Sequence, residues 1–124
     1  MVEVAATDAF VAWYETISVN QAMAIEHAVA HLELQGTSYG QLTHRIGQGE
    51  EVLLYQVRIK HAAGSISLCY ATNRSGRFAL LLSGNTQGAL DLCNGLVASA
   101  EALWRDYLRS AANGHGDNGS PRLG

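Results

Sequence analysis

Apolar and polar positions change period twice along this chain, and each change marks a new element. After Ser18 the residues Ala22, Ile25, Val29 and Leu32 recur at helical spacing, which predicts a helix running to about Gln35 and stopped by Gly36. Ser18 with Gln21 three residues on is a capping-box start. Ahead of it, Asp8 can cap a short helix through Phe10, Val11, Trp13 and Tyr14, leaving Val2 to Ala5 available as an edge strand. The first third therefore reads as a helical hairpin. Thr37 to Gly49 follows Gly36, is interrupted by Gly40, Gly47 and Gly49, and shows little periodicity, so it reads as a connection.

From Val52 the period becomes two. Leu53, Tyr55, Val57 and Ile59 share one face, with Gln56, Arg58 and Lys60 on the other, the signature of a strand with one core side and one wet side. Ala63 and Gly64 turn the chain into a second strand, Ser65 to Thr72; Asn73 to Gly76 turn it into a third, Arg77 to Ser83. After Gly84 the helical period returns through Leu92, Leu96, Ala100, Leu103 and Tyr107, ending near Ala112. The expected fold is a small α+β domain over residues 1–112: helical hairpin, three-stranded antiparallel meander covered mainly on one face, long C-terminal helix. Asn113 to Gly124 is Gly, Asn, Asp, Ser and Pro with little apolar content, and is expected to be a disordered tail.

Composition bounds the picture. At 124 residues and 48% apolar the chain suits one domain with its own core. No apolar run approaches the ~20 residues of a membrane span, and no secretory pattern opens the chain, so a cytoplasmic location is expected. Cys69 and Cys93 lack metal-ligand spacing and read as small buried thiols of a reducing compartment, although sequence cannot establish whether they are near enough to pair. His27 and His31 lie one helical turn apart but have no HExxH glutamate and no third ligand at a suggestive spacing, so no metal site is expected. Trp13 and Trp104 read as large core or interface residues.

Charge adds a candidate surface. Residues 1–43 carry five acids and no Lys or Arg, whereas 44–77 carry five of the chain's eight bases against Glu50 and Glu51. A locally basic strand region on an acidic chain suggests a patch that faces a polyanion.

Three runs add a family resemblance: Arg58-Ile-Lys-His61, Leu68-Cys-Tyr70-Ala, and Leu80-Leu-Leu82-Ser-Gly84-Asn-Thr-Gln-Gly88. In order they resemble the "Glu-Leu-Arg-Val-Gln-His", "Arg-Val-Leu-Tyr-Ala-Phe" and "Leu-Leu-Leu-Gly-Gly-Asp-Lys-Thr-Gly" patterns of the RelE/HigB-like toxins of type II toxin–antitoxin modules. Asp8-Ala-Phe10-Val-Ala-Trp13-Tyr14 and the closing Ala100-Glu-Ala-Leu-Trp104-Arg-Asp-Tyr107-Leu108 are similar to that family's first and last helices. The resemblance covers about residues 2 to 110 and implies a RelE-like fold.

The resemblance also implies a toxin component: a metal-independent, cofactor-free mRNA endoribonuclease acting at the ribosome, silenced by a cognate helix-turn-helix antitoxin, with no membrane partner. Such cleavage needs a base for the ribose 2′-OH, cations on the phosphate and an acid for the leaving oxygen. Arg58 matches the family's strand arginine and is the expected phosphate clamp; His61 matches a family histidine that could act as acid or base, a role His44 could also take; Tyr70 matches an aromatic position that could stack a base or donate its hydroxyl, although its parity with Ile66 and Leu68 favours core packing. His44 and Arg45 in the connection, with Lys60, Arg74 and Arg77, are the expected supporting substrate contacts. Departures point the other way. Glu50, Glu51, Val52 and Tyr55 stand where the family has bases, Ser67 replaces an Arg, and Thr86 replaces a Lys. Each lost cation removes a contact worth roughly 1.5–3 kcal/mol. The alternative is thus a non-catalytic relative that binds an antitoxin or another protein, alone or as a homo- or hetero-oligomer. A third reading, by analogy with the ParE branch, is action on a protein target such as gyrase.

Overall fold

The computed structural model describes residues 1–47, 51–61, 64–87, 89 and 91–112. The hairpin turn expected at Ala63 and the tail expected from Asn113 lie outside the described residues.

The chain begins with strand β1 (Glu3–Ala6) and helices α1 (Asp8–Tyr14) and α2 (Val19–Gln35). Strands β2 (Gln41–Ile46), β3 (Val52–His61), β4 (Gly64–Thr72) and β5 (Phe78–Asn85) follow, and helix α3 (Val97–Ala112) closes it. Local chemistry accounts for the helix starts. Thr7, not Asp8, caps α1, its Oγ1 accepting the Phe10 N–H at 3.1 Å. At α2 the Gln21 N–H donates to Ser18 Oγ at 3.2 Å while the Ser18 N–H donates to Gln21 Oε1 at 3.0 Å, so both halves of the capping box form.

The sheet corrects the expected architecture. It has five strands in the order β1-β5-β4-β3-β2, not a three-stranded antiparallel meander, and it is mixed. β1 runs parallel to β5, with Val4 opposite Ala79 and Ala6 opposite Leu81; β5, β4, β3 and β2 pair antiparallel. The additional strand, β2, occupies part of the stretch read as a connection.

Both faces of this sheet are covered, which overturns the expectation of one core side and one wet side. Ile66, Leu68, Tyr70, Ala79 and Leu81 pack against Phe10, Ile25, Val29 and Leu32 of α1 and α2. Their neighbours of opposite parity, Leu54, Cys69, Ala71, Leu80 and Leu82, pack against Ala100 and Trp104 of α3. Alternating side chains point to opposite faces, so central strands burying both sides read as continuous apolar runs. The expectation had projected the polar second half of β3 onto the whole sheet. Val52 and Leu54 share a face with Gln56, Arg58 and Lys60, yet lie in the core under α3.

Cys69 and Cys93, expected as separate thiols, are joined in a disulfide. The 3-10 turn Leu92–Leu96 before α3 lies on β4 and brings the two Cα atoms within 5.5 Å. No helix among the described residues is long and apolar enough to cross a membrane.

Candidate functional site

The eight residues singled out from sequence do not form one surface. In register, Leu53 faces Thr72 at one end of the β3–β4 pair and Lys60 faces Ser65 at the other, a separation of roughly 23 Å at ~3.3 Å per residue. Arg45, Arg74 and Arg77 lie toward the first end; Arg58, Lys60 and His61 lie toward the second. At the first end two cations are already occupied. Arg74 Nε donates to Glu51 Oε2 at 2.8 Å, and Arg45 Nη1 lies 3.8 Å from the same oxygen. The hydrogen bond from Arg74 holds the Glu51 carboxyl below the usual carboxylate range. Arg77 is exposed in the turn before β5, its carbonyl accepting the Glu3 N–H at 2.9 Å. His44 is half-buried on β2 opposite Leu54, with Nδ1 3.0 Å from Thr43 Oγ1.

At the second end the strand divides the remaining residues. Arg58 and Lys60 are exposed on one face, and His61 is half-buried on the other by the alternation of β3. A phosphate held by Arg58 would therefore not meet His61 across the same face.

Tyr70 lies inside the core. It is fully buried, its ring stacked on Tyr55 with centroids 5.4 Å apart. Its hydroxyl donates to the Thr37 carbonyl and accepts the Gly40 N–H at 2.9 Å. Burial pushes the phenol up to about 12. The hydroxyl thus fastens the 3-10 turn Thr37–Tyr39 to the sheet, and a side chain at Gly40 would place its Cβ 2.8 Å from that oxygen.

The same pinned segment borders a concavity that carries a proposed site residue. A groove of about 510 Å³ opens between the start of β2 and the middle of β3, bordered by Tyr39, Gln41, Thr43, Gln56, Val57 and Arg58. A second cavity, about 260 Å³, lies between α1 and α3 and is edged by Asp8 and Asp106, a poor match for an anion. No family model, curated protein or solved structure matches the chain. The groove must therefore be read from its own chemistry.

Gln56, on the border of the groove, is committed to structure. Gln56 Nε2 and Ser67 Oγ both donate to the Ala89 carbonyl, at 3.0 and 2.7 Å, and Gln56 Oε1 accepts the Cys93 N–H at 3.3 Å. Ser67 sits directly opposite Arg58 in register, its hydroxyl bound to the Ala89 carbonyl. The rim of the groove is open. β2 pairs with β3 only from Val52 to Gln56, so among the described residues the outer edge of β3 from Val57 to Lys60 has no neighbouring strand. An unpaired strand edge presents backbone donors and acceptors to any extended chain.

Tyr39, Gln41 and Thr43 were missed by sequence reasoning because they lie in the stretch read as a connection. The alternation of half-buried Leu42, His44 and Ile46 with exposed Gln41, Thr43 and Arg45 was the available signal.

Proposed function

We propose that this chain is a non-catalytic binding protein that takes an extended, acidic segment of a protein partner along the open edge of β3, beside Arg58. The observation that carries this reading is the end of β2 pairing at Gln56, which leaves the next residues of β3 open beside the groove. An added strand would continue the line of β2, its backbone pairing with β3 and its acidic side chains meeting Arg58 and Lys60. An antitoxin's extended segment, suggested by the family resemblance, is one partner of this chemistry.

The competing reading is a metal-independent endoribonuclease toxin. It is supported by Arg58, Lys60 and His61 falling within four residues at one strand end. Against it stand the opposite faces of Arg58 and His61, the burial of Tyr70, and the pairing of Arg45 and Arg74 with Glu51.

A photo-crosslinking residue at Thr43, with the chain co-expressed beside the product of its adjacent gene, tests the proposal. The expected result is a covalent adduct with that polypeptide, reduced about tenfold by Arg58→Glu, the loss of one charge-assisted contact, and unaffected by Arg105→Glu on α3. Arg58-dependent cleavage of a labelled mRNA, or growth arrest abolished by Arg58→Ala at matched protein level, would overturn it in favour of the toxin.

A further inference from the structure

In an antiparallel strand pair, alternate residues send both their backbone groups to the same side. Two close approaches identify the residues of β3 that face β2. Thr43 Oγ1 donates to the Leu54 carbonyl at 3.1 Å, and Gly40 runs so near Gln56 that a Cβ added there would lie 3.0 Å from the Gln56 carbonyl oxygen. Leu54 and Gln56 therefore face the β2 side. By the same parity Arg58 and Lys60 face it too, whereas Val57 and Ile59 turn their backbone toward Leu68 and Ile66 of β4. Beyond Gln56 no strand of the described residues meets this edge, so the N–H and C=O of Arg58 and Lys60 are the groups that an incoming strand pairs with.

Side chains follow the same alternation. Arg58 and Lys60 are exposed on the face that carries Val52 and Leu54. Val57 and Ile59 lie on the other face, half-buried against the cluster under α1 and α2 together with Tyr39 and Tyr55. Side chains directly opposite one another in a strand pair share a face. A strand on this edge thus sets one half of its side chains against two cations and the other half beside two apolar residues, where Tyr39 and Val57 border the groove. The open stretch, Val57 to Lys60, is roughly 13 Å long at ~3.3 Å per residue.

A second copy of this chain does not meet these terms. Residues that face outward pair with residues that face outward, so two such edges set antiparallel about a two-fold axis bring Arg58 or Lys60 of one copy against Arg58 or Lys60 of the other in every register that leaves Gln56 with β2. Like charges directly opposite destabilise a strand pair, and cations on an exposed edge oppose pairing between identical copies. An acidic strand gains a charge-assisted contact at each of the same two positions.

Building on the binding role proposed for this edge, we infer that the partner's segment alternates acidic and apolar residues, its acids opposite Arg58 and Lys60 and its apolar side chains beside Val57 and Ile59.

Two blocked hexapeptides of identical composition test this: acetyl-Ser-Glu-Val-Glu-Val-Ser-amide and its rearrangement acetyl-Ser-Glu-Glu-Val-Val-Ser-amide. Titrated into the isotope-labelled full chain and followed by amide NMR, the alternating peptide should bind about tenfold more tightly, the equivalent of one misplaced charge-assisted contact. N-methylation of its backbone amides one at a time should weaken binding at every second position. The double variant Arg58→Glu with Lys60→Glu, both at exposed positions, should transfer the preference to an alternating peptide with Lys in place of Glu. Equal binding of the two glutamate peptides, or equal losses from N-methylation at consecutive positions, would overturn the alternating strand while leaving an acidic partner beside Arg58 in place. Binding of neither peptide at millimolar concentration would overturn it as well, and the crosslink at Thr43 reports separately on whether the edge takes a partner at all.

Discussion

Replacing Tyr70 by Phe separates a structural hydroxyl from a catalytic one. The substitution keeps the ring stacked on Tyr55 and deletes only the oxygen that joins the Thr37 carbonyl and the Gly40 N–H. Both backbone groups are half-buried and lose that partner. A hydrogen bond contributes about 1 kcal/mol net, and an orphaned polar group costs about 1–3 kcal/mol, so the expected destabilisation is about 2–3 kcal/mol. For a domain of this size, where each kcal/mol moves the midpoint about 4 °C, Tm should fall by roughly 8–12 °C. Urea unfolding should show a lower midpoint at unchanged slope, and partner capture at Thr43 should persist in the folded fraction.

Alkaline pH provides a second reading of the same group. The phenol is raised from 10.0 to about 12 in the folded chain. Between those values the unfolded chain has released a proton that the folded chain retains, so stability is intact below pH ~10 and declines as pH climbs toward ~12. Tyr70→Phe should lack this component of the decline. A Phe variant within about 0.5 kcal/mol of the wild type, or one with the same alkaline slope, would refute the assignment of the hydroxyl as a pin.

Two further perturbations test the packing that carries the site. A Cβ at Gly84 on β5 would overlap the indole of Trp13, itself set edge-on to Phe10 at 5.4 Å; Gly84→Ala should cost about 1–3 kcal/mol by overpacking, and a double-mutant cycle with Trp13→Leu should recover much of it, whereas strict additivity would contradict the contact. The Cys69–Cys93 bridge closes a sequence separation of 24 residues, which in the chain-entropy account is worth about 3–4 kcal/mol; reductant, or alanine at both positions, should lower the urea midpoint accordingly, and an unmoved midpoint would show that the bridge does not constrain the unfolded chain.

What the sequence disclosed follows from the range of the interactions involved. The start of α2 was legible because its capping box lies within four residues, Ser18 to Gln21. β3 and β4 were legible as strands because period two and β-branched content act locally. β2 was not: it is a half-exposed edge strand of six residues between glycines, and turn chemistry on either side masked its alternation. Nor could the parallel pairing of β1 with β5 be read, since it joins Glu3 to Phe78 and no local pattern records a partner so distant. The second buried face was recorded in β4, where Ile66 to Ala71 is buried without interruption. The alternation in the second half of β3 was weighted instead, and that half lies beyond the cover of Trp104 and Ala100.

The same contrast between range and geometry explains the scattered charges. Five bases fall within residues 44–77 in sequence, but this stretch spans the end of β2, the β3–β4 pair and the turn into β5, and an extended chain carries neighbouring residues apart at ~3.3 Å each. Folding therefore sorts the run by strand end: Arg45 and Arg74 come together across β2 and the β4–β5 turn and are met by Glu51, while Arg58 and Lys60 are left where the sheet edge opens. Glu51, which in sequence looked like a loss of basic character, organises one end. At the other, where β2 stops at Gln56, Arg58 stands beside unpaired backbone and a groove. A cation beside an open strand edge suits recognition of an extended acidic chain more closely than it suits cleavage of a phosphodiester, which needs an acid and a base facing the same atom.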